Sequence, residues 1–497
     1  MSLPVIAIIL AVVLLLVRLL VLRPVCVDVP LVHSDAPLAA RLQSGYAQHK
    51  QRVFKLRCPH GEQLVLPSAY LEELKQLPKS TISFAQSLID QFWGNQTLIG
   101  HHDETLVASI RESLARSMSK FSLATVVADM RDELAYAMPA TLPQEKEWRP
   151  FQAHPAVLRI VALLSGRVFV GQPLSRNEEF LNCIVMYTID SFSASTRLYG
   201  LHTLLRPFAR FFLPELRSVR RHLATMKRLV KPLVEQRLCK GADSREDMVS
   251  WNLKHSPSEL RTNIDYQALQ QLQASFAAVH TTALLLTNII FDLAARPEYI
   301  QPLREEVQAA LDADGGLITK ATMSRLVKMD SFMAEVQRFN PPGIMTFNRA
   351  TTGPVTLADG LHVPKGTWLA APSSQIAMDP ELWDNPTQFD GFRFERLRQR
   401  EGMSGKYQVA TLSSPFSRLN FVNRLQFVST GPNMLLFGYG NQACPGRFFV
   451  SNEIKLILAT LLLEYDLKLA GDRPDTIIKD TTVRPDSQKE VLIRRRV

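Results

Sequence analysis

The residue whose surroundings point most clearly to chemistry is Cys444. It lies in the run Phe437-Gly438-Tyr439-Gly440-Asn441-Gln442-Ala443-Cys444-Pro445-Gly446, where small and turn-forming residues flank the sulfur just before a predicted helix. Backbone amides of such a turn and the positive end of the helix can donate to a thiolate and tune its bond to an iron ion. The glycines would let the backbone pass close to a flat macrocycle. The run therefore favours an iron ligand over simple core packing, which is the ordinary role of a lone cysteine.

Cys58 provides an internal comparison, because it is also followed by a proline. Phe54 stands four residues before it, where Gly440 stands in the other run, so Cys58 lacks the glycine loop and is predicted to be structural. The five cysteines are odd in number and widely spaced, which argues against a disulfide scaffold and against a paired-cysteine zinc site. A reducing compartment fits this usage.

Charge narrows the choice of partners. The net charge is +10, which would favour nucleic acid, anionic lipid or an acidic protein. Lysines and arginines are scattered, however, and no basic stripe interleaved with aromatic residues is present in the sequence. We therefore predict no nucleic-acid binding, and we expect a membrane surface or an acidic protein as partner.

The elements that must position Cys444 are mostly helical. Apolar residues recur at helical spacing in long stretches, and strand-like pieces are short and bounded by Gly, Pro or Asp. We predict helices near 104–121, 176–200, 216–239, 266–296, 297–313, 322–339 and 447–465, and strands near 53–56, 63–66, 354–357 and 368–371. A loop-rich stretch is expected from about 400 to 443. The predicted fold class is mainly α with small β-sheets (α+β).

The amino terminus carries a membrane-anchor pattern. The run from Leu3 to Leu22 is apolar apart from Arg18. This run is long enough to span a bilayer core. It lacks a basic n-region and a small-residue cleavage site, so an anchor is favoured over a signal peptide. We predict an anchor over residues 1–24, a hinge over 25–40 and one catalytic domain over 41–497. Basic residues after the span place that domain in the cytosol, on a single-pass protein of the endoplasmic reticulum membrane.

The Cys444 run resembles the haem loop of the cytochrome P-450 family, Phe-x-x-Gly-x-(Arg/His)-x-Cys-x-Gly. Phe437, Gly440, Cys444 and Gly446 match that pattern. Gln442 differs, because the family usually has a basic residue there that reaches a haem propionate. The resemblance implies a helical haem-protein fold over roughly residues 40–497 and haem b ligated by Cys444, with Phe437, Gly440, Gln442 and Gly446 around the cofactor.

Two further runs resemble family motifs in the same order. Glu335-Val336-Gln337-Arg338 matches Glu-x-x-Arg, and Pro386 to Phe394 resembles Pro-x-x-Phe-x-Pro-x-Arg-Phe, with Gly391 in place of the second proline. The resemblance implies that Glu335, Arg338 and Arg393 form a buried ion network that holds the haem loop. Such a network is structural, because removing one buried charge leaves another unpaired.

Ala277-Ala278-Val279-His280-Thr281-Thr282 resembles the family's oxygen-activation motif. There Thr281 would pass protons to the oxygen substrate. His280 replaces the usual acid. It is either a proton donor titrating near neutral pH, a packed histidine or a sign of unusual chemistry, and the sequence does not separate these. Arg349 matches the family position that pairs with a haem propionate.

The resemblance implies a monooxygenase that inserts one atom of O2 into a lipophilic small molecule. Electrons would come from NADPH through a separate NADPH-cytochrome reductase, because the sequence has no convincing dinucleotide motif. Segments such as Arg167 to Gly171 and Phe347 to Arg349 look like the filamentous-fungal branch that makes terpenoids, alkaloids and polyketides. Two alternatives stay open: a haem-thiolate isomerase, dehydratase or desaturase, suggested by His280, and a non-catalytic membrane-anchored haem-binding protein, suggested by Gln442 and Gly391.

Overall fold

The computed structural model describes residues 27–114, 123–240, 245–399 and 425–496. The predicted anchor, and the part of the predicted loop-rich stretch from 400 to 424, lie outside the described residues. Within those ranges one helix, Ile264–Ala295, is long and apolar enough to cross a membrane, but 72% of its apolar window is buried inside the protein. It is therefore the central helix of the folded domain.

Helices make up most of the domain, as predicted. In chain order they are α1 Leu38–His49, α2 Ser68–Leu74, α3 Phe84–Phe92, α4 Gly94–Thr97, α5 Glu104–Ala108, α6 Leu123–Thr141, α7 Ala153–Phe169, α8 Glu178–Gly200, α9 Ala209–Phe212, α10 Pro214–Lys240, α11 Met248–His255, α12 Ile264–Ala295, α13 Ile300–Ala313, α14 Lys320–Arg325, α15 Val327–Phe339, α16 Ser373–Ala377, α17 Arg393–Gln399 and α18 Arg447–Glu464.

Strands are short and form small sheets. They are β1 Leu31–Val32, β2 Phe54–Cys58, β3 Gly61–Val65, β4 Ile82–Ser83, β5 Arg149–Gln152, β6 Thr346–Thr351, β7 Val355–Thr356, β8 His362–Val363, β9 Trp368–Ala371, β10 Tyr465–Lys468, β11 Thr476–Lys479, β12 Thr482–Pro485 and β13 Glu490–Arg495. The largest sheet has the order β1-β2-β3-β9-β6-β4, and β10-β13-β5 forms a second one. β11 and β12 form a hairpin. The predicted mainly α fold with small sheets is confirmed.

The central helix α12 organises the core. Asn263 caps it by accepting a hydrogen bond from the backbone N–H of Tyr266, which satisfies one of the free donors of the first turn. Its residues are buried on most sides, since α7, α8 and α10 pack around it. A helix that is apolar nearly all round must be covered by others, and burial in the core therefore accounts for the apolar run of α12.

Two predicted helices were wrong in detail. The stretch 322–339 is divided at Leu326, because Thr319 caps α14 and the Glu306 carboxylate caps α15 by accepting from Lys328 N and Met329 N at 2.6 and 2.9 Å. The stretch 104–121 begins as α5 and continues as a π-helix, Ser109–Leu114, while 115–122 lie outside the described residues. Neither change is visible in apolar periodicity. For α15 the reason is that its capping group, Glu306, comes from a different helix.

Residues of the predicted hinge make contacts with the folded domain. β1 pairs in parallel with β2, through Leu31 with Lys55 and Val32 with Leu56. Leu38 opens α1 and is buried against Phe54 and Leu56 in a small apolar cluster. The described part of the 25–40 segment is therefore packed against the first sheet, and the division into anchor, hinge and domain stays a prediction.

Candidate functional site

Cys444 sits in a tight turn whose backbone is aimed at its sulfur. Its own N–H donates to Phe437 O at 2.8 Å, which closes the loop, and α18 starts three residues later. Burial raises the pKa of the Cys444 thiol, whereas hydrogen bonds from the backbone N–H groups of Gly446 and Arg447 and the charge of Arg447 lower it. These amides at a helix start are the donors that a thiolate ligand requires.

The loop rests on the end of α2. Gly440 has φ +77°, and a Cβ there would lie 2.2 Å from Lys75 O, so only glycine fits against that turn. Asn441 N donates to the same Lys75 O at 3.0 Å. The Lys75 ammonium donates to Tyr439 Oη at 3.1 Å, and Tyr439 Oη donates to Glu72 Oε1 at 2.5 Å. Nothing in the sequence indicates this support, because Lys75 is remote in the chain.

Gln442 contacts the backbone between β4 and α3. Its Oε1 accepts from Phe84 N at 2.8 Å, and its Nε2 donates to Ile82 O at 3.1 Å. A charged arginine could not accept the first of these bonds, so the amide is suited to this place. Its predicted contact with the cofactor stays a prediction.

Arg349 is a buried cation on β6. It is 2% exposed, and burial lowers its pKa to about 9. Among the described residues, its Nη1 and Nη2 donate only to the carbonyls of Asn348 and Tyr439, at 2.8 and 3.4 Å, and Nε has no partner. No carboxylate pairs with it among the residues that the structure describes. Because a buried charge needs a counter-ion, Arg349 beside the Cys444 loop is suited to an anionic group such as a haem propionate.

The predicted contacts of the buried ion network are confirmed, and its role in holding the haem loop stays a prediction. Arg338 makes a bidentate pair with Glu335 at 2.8 Å for both bonds, and Arg393 Nε lies 3.2 Å from Glu335 Oε1. Glu335 is 0% exposed, so all three charges are buried. Arg338 also donates to Ala377 O and Pro386 O, and it lines a small cavity with Asn433 to Leu436, which lead into the Cys444 loop.

Gly391, which replaces a family proline, has a local reason. Its N–H donates to Tyr299 Oη at 3.1 Å, a bond that proline could not make. A Cβ at this position would also lie 2.6 Å from Phe332 Cδ2 and 2.7 Å from Tyr299 Cε1. The tyrosine therefore occupies the space that a proline ring would need.

On α12 the two predicted catalytic residues point in different directions. Thr281 is exposed, as is Ala277 one turn earlier, and its hydroxyl donates to Ala277 O at 2.6 Å. His280 turns to α8, where Nε2 lies 3.0 Å from Val185 O, so that nitrogen must carry the proton. Burial lowers the pKa of His280, which favours the neutral ring, although the bond to Val185 raises it. The structure thus joins His280 to a neighbouring helix, and both catalytic roles stay predictions.

Cys58, the comparison cysteine, lies elsewhere. It is buried in the cluster beneath the first sheet, and its Sγ contacts Gln63 Oε1 at 3.7 Å. Burial raises the pKa of the Cys58 thiol to about 12, which is the behaviour of an inert packed cysteine.

Comparison with known proteins shows which family the chain belongs to. The family model described as Cytochrome P-450 matches residues 65–493. The chain belongs to the cytochrome P-450 family. Cytochrome P-450 monooxygenase ORF5 of Penicillium roqueforti (strain FM164) is 38% identical over 468 residues, which cover 92% of this chain and 82% of that protein. Cytochrome P-450 monooxygenase BOA4 of Botryotinia fuckeliana (strain B05.10) is 36% identical over 477 residues, 94% of this chain and 91% of its own.

The fold agrees with a solved member of the family. A retinoic-acid-bound cyanobacterial cytochrome P-450, CYP120A1, superposes with a TM-score of 0.67 over 95% of this chain and 100% of its own, at 17% identity. Family membership makes the chain an oxidoreductase and implies a haem-thiolate cofactor. The loop donors around Cys444 and the unpaired Arg349 fit such a group, because one supports a thiolate and the other an anion.

Proposed function

We propose that this chain is a haem-thiolate monooxygenase that oxidises a lipophilic small molecule. Two features of the site carry the proposal together. Cys444 lies in a loop with two amide donors to its sulfur, and Arg349 is a buried cation with no carboxylate partner among the described residues. Fungal monooxygenases at 36–38% identity over nearly the whole chain support the same class.

The residues divide the work as follows. Cys444 would hold the haem iron, Arg349 would pair with a propionate, and Phe437, Gly440, Gln442 and Gly446 would surround the cofactor. When bound, the haem supplies reductive activation of dioxygen, with one atom entering a C–H or C=C bond of the substrate and the other leaving as water.

The exposed face of α12 would serve proton delivery. Thr281 is exposed beside the small residue Ala277, whose carbonyl oxygen accepts the Oγ1 proton at 2.6 Å, so a small acceptor has room next to the hydroxyl. The neutral ring of His280 keeps its Nε2 proton on Val185 O. We therefore assign the larger share of proton delivery to Thr281 and a secondary share to His280.

Electrons would come from NADPH through a separate reductase. The side of the domain that carries the Cys444 loop presents the exposed Arg111, whose Nη2 donates to Asn441 O at 3.0 Å, and the exposed ring of Phe448. A cation and an apolar side chain beside the loop suit an acidic protein with an apolar centre.

Membrane attachment is supported by sequence and by surface. The apolar run Leu3 to Leu22 precedes the described residues. In addition, Phe208 and Phe211 are 59% and 64% exposed in the segment between α8 and α10, with the exposed Arg210 between them. Exposed aromatic side chains next to cations suit an anionic lipid surface. We also propose a role in fungal secondary metabolism, because segments of the sequence resemble the filamentous-fungal branch of the family.

The test compares two cysteine variants of the full chain. In Cys444→Ala the reduced protein with bound carbon monoxide should lose its strongly red-shifted Soret band, whereas Cys58→Ala should keep it. An unchanged spectrum in Cys444→Ala would remove the basis of the proposal. For the unaltered protein, oxygenated product formed in step with NADPH consumption distinguishes a monooxygenase from an isomerase and from a non-catalytic haem protein.

A further inference from the structure

Arg473 lies just before the β11–β12 hairpin and uses its whole guanidinium group in hydrogen bonds. Nε and Nη2 donate to the two oxygens of Asp292, at 2.7 and 3.1 Å. Nη2 also lies 3.1 Å from Asn288 Oδ1 and 3.3 Å from Asn340 Oδ1. Nη1 donates to Pro474 O at 2.7 Å and to Thr476 Oγ1 at 3.4 Å.

These partners belong to three separate segments. Asp292 and Asn288 lie on α12, Asn340 directly follows α15, and Thr476 opens β11. Thr476 Oγ1 donates to Asn340 Oδ1 at 2.7 Å, so the hairpin and the end of α15 are also joined directly. Asp292, Asn288 and Asn340 are all at most 8% exposed. A network with so little access to water holds its geometry firmly.

The hairpin then contacts the chain that follows Asn340. Thr481 O accepts from Ile344 N at 2.9 Å, and Thr482 pairs with Gly343 in an antiparallel bridge. A Cβ on Gly343 would lie 2.9 Å from Thr481 O, so the two backbones are at minimum separation. A shift of the hairpin must therefore move the segment from 341 to 347.

Asn288, a partner of Arg473 on α12, connects the network to the candidate site. Asn288 follows Thr281 by seven residues, which is two helical turns, so the two share one face of α12. Arg473 is thus bonded to the helix face that carries Thr281, to the end of α15 and to the hairpin. The end of α15 leads into 341–347, which runs into β6, the strand that carries Arg349. This segment therefore joins the Arg473 network to the candidate site.

We propose that Arg473 is a positioning residue that sets substrate specificity by fixing the hairpin and the 341–347 segment at one distance from α12. This inference rests on the proposed function, since it assigns a role within the substrate pocket of that site. Lysine cannot reproduce the planar set of donors, because a single ammonium reaches Asp292 but not also Asn288, Asn340 and Thr476. Arg473→Lys should therefore keep the charge and release the hairpin.

The test uses the full-length protein and two haem ligands of different size. Imidazole reaches the iron without filling the pocket, whereas clotrimazole must also fit its walls. In Arg473→Lys we expect the imidazole Kd, read from the Soret shift, to stay within about twofold, and the clotrimazole Kd to rise at least about tenfold. Arg484→Lys, an exposed position on β12, is the matched control and should change neither.

Hydrogen exchange provides a readout that needs neither haem nor activity. In Arg473→Lys the amides of 476–485 and of Ile344 should exchange at least about fivefold faster, with β2 and β3 unchanged. If Arg473→Lys does not fold, Thr476→Val removes one hydroxyl from the same network and should produce the same pattern at smaller size. Unchanged exchange in the hairpin would overturn the proposal, and so would equal weakening of both azoles.

Failure of the proposed function would look different. If the unaltered protein bound no haem or gave no red-shifted band, the monooxygenase assignment would fall, while the exchange result would still decide whether Arg473 holds the hairpin to α12.

Discussion

Replacing Glu335 by glutamine tests the buried ion network. The substitution keeps the shape of the side chain and removes the carboxylate that pairs with both Arg338 and Arg393, which are 2% and 7% exposed. Leaving buried charges unpaired costs about 3–5 kcal/mol. For 497 residues, an unfolding entropy of about 2.1 cal/mol/K per residue gives roughly 1 kcal/mol/K, so Tm should fall by about 3–5 °C.

The assay is thermal unfolding followed by circular dichroism, with haem content measured in parallel. The matched control is Glu178→Gln, because Glu178 pairs with Arg159 at 2.6 Å but is 70% exposed. A surface pair contributes at most about 1 kcal/mol, so the control should lower Tm by about 1 °C or less. If Glu335→Gln lowered Tm no more than the control does, the reasoning that buried charge dominates this network would be refuted.

Four further substitutions test other parts of the structure. Burial raises the pKa of Glu453 from 4.5 to about 8, so the folded protein keeps a proton that the unfolded chain loses, and stability falls as pH rises through that window. Glu453→Gln should therefore gain on the unaltered protein by about 1.4 kcal/mol per pH unit there, and a constant difference in Tm would contradict this. Gly391→Pro restores the family residue but removes the N–H to Tyr299 Oη, and we expect a loss of about 1–3 kcal/mol by denaturant unfolding, with no loss counting against the steric argument. Thr281→Val and His280→Phe should keep normal haem content but divert NADPH to hydrogen peroxide, more so at Thr281, and unchanged product-to-NADPH ratios in both would exclude proton delivery.

Much of the haem-loop side of the site could be predicted from sequence. The Cys444 loop is local, since its glycines, its cysteine and the helix that follows are contiguous. Long helices such as α8, α10 and α12 were placed within a few residues, because the spacing of apolar residues is itself a local property. The ion pair Glu335 with Arg338 is also local, and only the family resemblance connected it to Arg393.

Tertiary structure decided what depends on distant partners. The predicted helix 322–339 is divided at Leu326 because Glu306 caps α15. His280 faces Val185 on another helix, and Gly391 is required because Tyr299 lies against it. None of these pairings leaves a periodic or spacing signal, since each joins residues from separate elements.

The support of the site shows the same division. Sequence alone determined that Cys444 would lie next to backbone N–H donors at the start of a helix, and that the chain would fold as helices with small sheets. Only the packed structure showed that Arg349 lacks a carboxylate among the described residues and that Arg473 joins three segments. The physical reason is that side-chain direction, burial and pairing are fixed by packing between elements, whereas turns, caps and periodicity are fixed within them.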